Sequence, residues 1–168
     1  MEVTLVIPIE MVTQEVNFQK IQTSIKYRNE RGKAVRLRPE DAEEVRFTHN
    51  GIPVRMVSLP NTIELGGANY QGERIFLQLV TEGSVSVYSY EYRDGIPLGY
   101  GMATFDVDRL ILHKQTRTLM RVRSESFRKD MSLYFGECPE LAQKIRDKEL
   151  RKKDIFSIVE YYNRECAE

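Results

Sequence analysis

Residues 75–122 read IFLQLVTEGSVSVYSYEYRDGIPLGYGMATFDVDRLILHKQTRTLMRV, and the fold class turns on this stretch. By the period of two that a strand imposes, Ile75, Leu77 and Leu79 share one face and Phe76 and Val80 the other. Glu82-Gly83 turns the chain. Ser84 to Tyr92 then sets Val85 and Val87 on one side and Tyr88, Tyr90 and Tyr92 on the other. Asp94-Gly95 signals a hairpin, and Leu98 to Val107 is the returning strand. Gly99 and Gly101 lighten it, as a bend, a bulge or a close neighbour requires. Leu110-Ile111-Leu112 and Thr116 to Val122 make a last hairpin across Lys114-Gln115. Consecutive short strands joined by polar turns predict an antiparallel sheet, either a sandwich or an open barrel-like form, rather than a parallel one.

Upstream, Val3 to Ile9 reads as a short strand. Phe18 to Tyr27 alternates and predicts another, with Ile21, Ile25 and Tyr27 on its buried face. Asn29 to Gly32 is a turn. In Leu37 to Val45, Pro39 and the acids after it predict one helical turn. Asn50-Gly51 is a strong tight-turn signal, flanked by an extended Val45-Arg46-Phe47 and by Ile52 to Leu59 as the returning strand.

Downstream of Val122 the apolar period changes. Ser124 can cap a helix on which Phe127, Met131 and Tyr134 recur, and Gly136 can close it. Pro139 suits a first helical position, with Leu141 and Ile145 on one stripe. Asp154 can cap another helix, carrying Ile155, Val159, Tyr162 and Cys166. The predicted class is therefore α+β: a mainly antiparallel sheet followed by two or three short C-terminal helices. The whole of 1–168 reads as a single domain, with a β-rich body over 1–123 and a helical segment over 124–168 packed on it.

The 168 residues carry 25 basic and 25 acidic side chains, so no bulk field points to nucleic acid or to an anionic membrane. No apolar run approaches the roughly 20 residues of a transmembrane helix. Glu2, Pro8 and Glu10 surround the brief apolar Val3 to Ile7, so the start is not read as a secretion signal.

Cys138 begins one predicted helix and Cys166 ends the next. The connection around Leu150 to Lys153 is short, so the two helices should run antiparallel and bring the cysteines within disulfide range. Two reduced, buried thiols are the alternative.

The run Phe135-Gly136-Glu137-Cys138-Pro139-Glu140-Leu141, then Lys144-Ile145, Asp154-Ile155, Ile158-Val159 and Tyr162-Asn163-Arg164-Glu165-Cys166, resembles the C-terminal signature of a family of uncharacterised exported proteins of Gram-negative bacteria. Phe76 to Gly83 with Val85, Val87 and Tyr88 is similar to that family's central strand pair, as is Leu110 to Lys114, and Leu37 to Asp41 resembles its preceding segment. The likeness spans about Leu37 to Cys166. It implies export to the periplasm or cell surface, which agrees with a disulfide. It implies no reaction. A cytoplasmic location is the alternative.

Few residues offer chemistry. His49 lies beside the Asn-Gly turn and His113 near a strand end, with no second ligand at metal spacing. Gly66-Gly67 to Gly72 echoes a phosphate loop, but Glu73 and Arg74 stand where Lys and Ser or Thr are needed. No Gly-x-Ser-x-Gly elbow occurs, and Asp106 and Asp108 have a spacing common at strand ends. No catalytic residue, metal ligand or cofactor motif is assigned. Tyr88, Tyr90 and Tyr92, with Tyr100 on a neighbouring strand, offer an aromatic platform or a cross-strand packing ladder. Arg117, Arg121 and Arg123 share a parity and offer an anion stripe or a charged edge strand. The favoured function is a non-catalytic cell-envelope module that binds a protein or glycan, or supports a neighbouring assembly. A hydrolase built from scattered acids and a cytosolic interaction protein are the alternatives.

Overall fold

The computed structural model describes residues 3–10, 14–63, 65, 72–98, 101–115 and 118–167, with 93–98 and 101–108 described by backbone alone. Asn50 and Gly51 both take positive φ, 51° and 78°, the left-handed pair that a two-residue hairpin turn demands. That turn joins β4 (Glu44–His49) to β5 (Ile52–Pro60) in antiparallel register, with His49 opposite Ile52 and Glu44 opposite Val57. β6 (Arg74–Thr81) pairs with β5, and β7 (Val85–Leu98), β8 (Gly101–Lys114) and β9 (Met120–Arg121) follow in order. The order is linear, with β4 and β9 at its edges, so the six-stranded sheet is open. A second antiparallel sheet contains β1 (Thr4–Val6), β2 (Ile25–Arg28) and β3 (Ala34–Leu37). With four α-helices among the described residues, α1 (Phe18–Thr23), α2 (Phe127–Tyr134), α3 (Pro139–Arg146) and α4 (Ile155–Glu165), the fold is α+β.

Several local expectations are corrected. Phe18 to Tyr27 is not one strand. Asn17 caps α1 by accepting the Lys20 N–H at 2.9 Å on its side-chain oxygen, and the strand starts only at Ile25. Leu37 to Val45 holds a single turn over residues 39–41, closed by the Asp41 N–H donating to the Arg38 carbonyl at 3.0 Å, and no longer helix, because β3 runs to Leu37 and β4 opens at Glu44. The Asp94-Gly95 hairpin does not form, since β7 passes through both residues to Leu98. Ser126, not Ser124, precedes the first residue of α2.

The chain divides into two compact units. One comprises Met1–Leu79 and Ser89–Arg109, the other Val80–Tyr88 and Leu110–Glu168. In the first, Val16, Ile21, Ile25, Val45, Val54, Met56 and Phe76 form a buried cluster. Ile75, Phe76 and Leu77 are all buried, so β6 is covered on both faces there. Ser58 donates to the Pro39 carbonyl at 2.5 Å, and Arg74 donates to the Ser58 hydroxyl and carbonyl at 2.8 and 2.7 Å. On β4, Glu44 accepts from Arg55 at 2.9 Å and from Arg46, and these guanidiniums hold its carboxyl near pKa 2, below its ordinary 4.5.

The second unit joins the helices to strand ends. α2, α3 and α4 have 8, 8 and 11 residues, too short to persist alone in water. Their stripes supply the missing stability by burial. Phe127, Met131 and Tyr134 of α2, Leu141 and Ile145 of α3, and Ile155, Ile158, Val159 and Tyr162 of α4 pack with Val85, Val87, Leu112 and Val122. Each fully buried side chain of this size contributes about 1.5–3 kcal/mol. Asn163 adds a polar tie. It accepts the Val85 N–H at 2.7 Å and donates to the Val85 carbonyl at 2.9 Å, standing in for a strand neighbour. Gly83 permits this approach, because a Cβ there would lie 2.3 Å from Asn163 Nδ2.

Two outcomes follow from these contacts. Gly83→Ala and Asn163→Ala should each lower unfolding stability in denaturant by about 1–2 kcal/mol, and the double variant should lose far less than their sum, because both remove one interaction. The depressed Glu44 pKa means the native state holds its carboxylate where the unfolded chain would bind a proton. Stability from that group is complete above about pH 4.5 and is lost as pH falls toward about 2. Acid titration of wild type should therefore show a component that Glu44→Gln lacks.

Candidate functional site

Lys114 ends β8 and is buried, with its side chain only 6% exposed. Burying an ammonium costs several kcal/mol unless partners replace its water. Here they do. Nζ donates to the Tyr134 carbonyl at 2.9 Å and to Glu137 Oε1 at 2.6 Å. It also lies 4.7, 5.4 and 4.4 Å from the ring centres of Tyr134, Phe135 and Tyr162, whose faces are negative. The Tyr162 hydroxyl donates to the same Glu137 oxygen. This cluster links a strand, the α2–α3 connection and α4, so its chemistry is structural.

Beside it, Cys138 precedes α3 and Cys166 follows α4. Their sulfurs are bonded at 2.03 Å, with Cα atoms 5.7 Å apart. Pro139 opens α3 where its missing N–H costs nothing, and Cys138 stands just before it, bonded to the end of α4.

The tyrosines are packed rather than presented. Tyr88 and Tyr90 are each 6% exposed, which excludes an open platform at these two positions. Tyr90 stacks on Tyr92 with ring centres 6.3 Å apart, and Arg109 sits 4.5 Å over Tyr92 and hydrogen-bonds its hydroxyl. Tyr88 is tilted against His113 at 6.4 Å. Arg121 is half-buried on β9, and Arg123 is exposed beyond it. Tyr100, Arg117 and the loop at Gly66-Gly67 lie outside the described residues, as do the side chains of Asp106 and Asp108. His49 is half-buried at the end of β4, and its Nε2 has no hydrogen-bond partner among the described residues. Among the described residues no three His, Cys, Asp or Glu side chains converge as a metal site, and no helix is long and apolar enough to cross a membrane.

A different set of residues does converge. The approach to α2, the end of α3 and the segment before α4 border an open cavity of about 580 Å³. Arg128, Lys129, Lys148, Arg151 and Lys152 line it, against a single acid, Glu125. None of the five is in an ion pair among the described residues. Lys152 donates to the Ser124 hydroxyl at 2.8 Å and Arg151 to the Lys148 carbonyl at 3.3 Å. Lys148 is held at φ 65°, the left-handed position after a helix that glycine normally fills. Phe127, Ile145 and Leu150 supply apolar lining.

Sequence reasoning missed this cluster because acids alternate with the cations along the chain. The fold turns several of them to other tasks: Asp130 accepts from Ser126, Asp147 from Gln143 at 2.8 Å and Asp154 from the Arg151 N–H at 2.9 Å. The local excess of positive charge is therefore three-dimensional.

We found no protein family, curated protein or solved structure that matches this chain.

Intact-mass analysis of freshly prepared native protein should show no alkylated cysteine without reductant and two after reduction. Replacing both cysteines by serine should cost about 3–4 kcal/mol, the closure entropy of a loop this long.

Proposed function

We propose that this chain is an exported, non-catalytic binding module of the bacterial cell envelope, which engages a negatively charged protein or glycan through its basic cavity. The observation that carries the reading is the contrast between its cations. Lys114 is committed to Glu137 and three aromatic rings, whereas the five cations around the cavity have no carboxylate partner among the described residues. Unneutralised charge gathered on a concave, partly apolar surface attracts and orients an anionic partner. The bonded Cys138–Cys166 pair supports an oxidising compartment, as does the resemblance of the C-terminal signature to exported proteins.

Fractionation of a producing Gram-negative host, with thiols trapped at lysis, tests this reading. The protein should appear in the periplasmic or surface fraction with both cysteines blocked. Recovery in the cytosol with two free thiols would contradict it.

A further inference from the structure

We infer that the cavity takes a phosphate-bearing ligand. This rests on the reading of the basic cavity as a binding site, replaces its protein or glycan partner with a phosphate group small enough for the cavity, and is independent of where the protein resides. A simple carboxylate is satisfied by one guanidinium, whereas five exposed cations lining one cavity with a single acid favour a ligand with more than one negative charge. Arg128 and Arg151 offer planar, fork-shaped donors that match phosphate oxygens, and Lys129, Lys148 and Lys152 add mobile point charges. The Ser124 hydroxyl, already held by Lys152 at 2.8 Å, places a neutral hydrogen-bonding group on the same wall.

The lining also specifies what the phosphate is attached to. Phe127 and Ile145 close the floor of the cavity as part of the core, and half-buried Leu150 is the apolar side chain left to meet a ligand beside its charged group. The volume suits one small molecule or one headgroup, since sites of this kind hold roughly 300–1,000 Å³. A nucleic acid strand needs charge spread along a groove, with many phosphates in line. Here the cations gather on one cavity of a chain whose charges cancel overall. Two sources share the phosphate chemistry: a soluble phosphorylated molecule, and the exposed headgroup of an anionic lipid.

Calorimetric titration of the full chain with inorganic pyrophosphate and with glucose 6-phosphate tests the soluble source. Co-sedimentation with phosphatidylcholine vesicles, with and without phosphatidylglycerol, tests the headgroup. The variants are Arg151→Gln with Lys152→Gln, and separately Arg128→Gln with Lys129→Gln, so that poor folding of one pair leaves the other informative. Lys26→Gln, an exposed cation on β2, is the control for bulk charge. Binding should weaken roughly tenfold or more in each double variant, weaken with added salt, and stay unchanged in the control. That pattern with the soluble probes assigns the soluble source, and the same pattern with phosphatidylglycerol vesicles alone assigns the headgroup. Wild-type protein that binds neither, or double variants that bind as wild type does, would overturn the inference. An exported protein that ignores phosphate but retains an acidic peptide would overturn the ligand class alone and leave the binding module standing.

Discussion

The second compact unit depends on solvating one ammonium without water. Lys114 reaches the interior at the end of β8, and its charge is met by a carbonyl, a carboxylate and three aromatic faces. Each partner is supplied by the helical segment: Tyr134 by α2, Phe135 and Glu137 by the connection to α3, and Tyr162 by α4. A displaced helix would strand a buried charge, a change that typically costs 3–5 kcal/mol. The cluster therefore selects one arrangement of helices on the strand ends. The disulfide and the Asn163 tie to Val85 both hold the C-terminal turn of α4 in that same arrangement.

With those helices fixed, their remaining charges acquire a position. The turn after α3, with Lys148 in a left-handed backbone, and the segment through Lys152 bring cations from distant positions onto the wall that opens α2. A backbone conformation that disfavours any side chain but glycine carries a lysine into the cavity, at a cost of about 1–2 kcal/mol. Tolerating that cost is more intelligible for a binding wall than for a turn whose only task is to connect two helices. Structure and proposed function thus use the same residue type in opposite ways: one lysine is neutralised in the interior, and the others remain charged at a concave rim.

How much of this was legible in the sequence depended on how local the cause was. Asn50-Gly51 announces its turn because few residue pairs tolerate two positive φ angles, and Pro139 marks the start of α3 for an equally local reason, whereas Asp154 precedes α4 without a side-chain cap bond to it because its carboxylate accepts the Arg151 N–H. Phe18 to Tyr27 misled because Phe18, Ile21, Gln22 and Ile25 satisfy a helical stripe while the same run alternates, and the Asn17 cap decided between them. Asp94-Gly95 carried a turn signal that two neighbouring 14-residue strands overrode. The tyrosine ladder was visible, but the burial of Tyr88 and Tyr90 depends on what covers them. The basic cavity was not legible, since its cations are interleaved with acids that only folding directs elsewhere.

The division between committed and free cations is tested most directly by brief acetylation of the native protein, with labelled lysines mapped by peptide mass spectrometry. Lys129, Lys148 and Lys152 should be modified rapidly, while Lys114 should stay unmodified until the protein is denatured. Modification of Lys114 at the rate of the cavity lysines would contradict its place at the centre of the helical unit, and with it the separation of structural from ligand-facing charge.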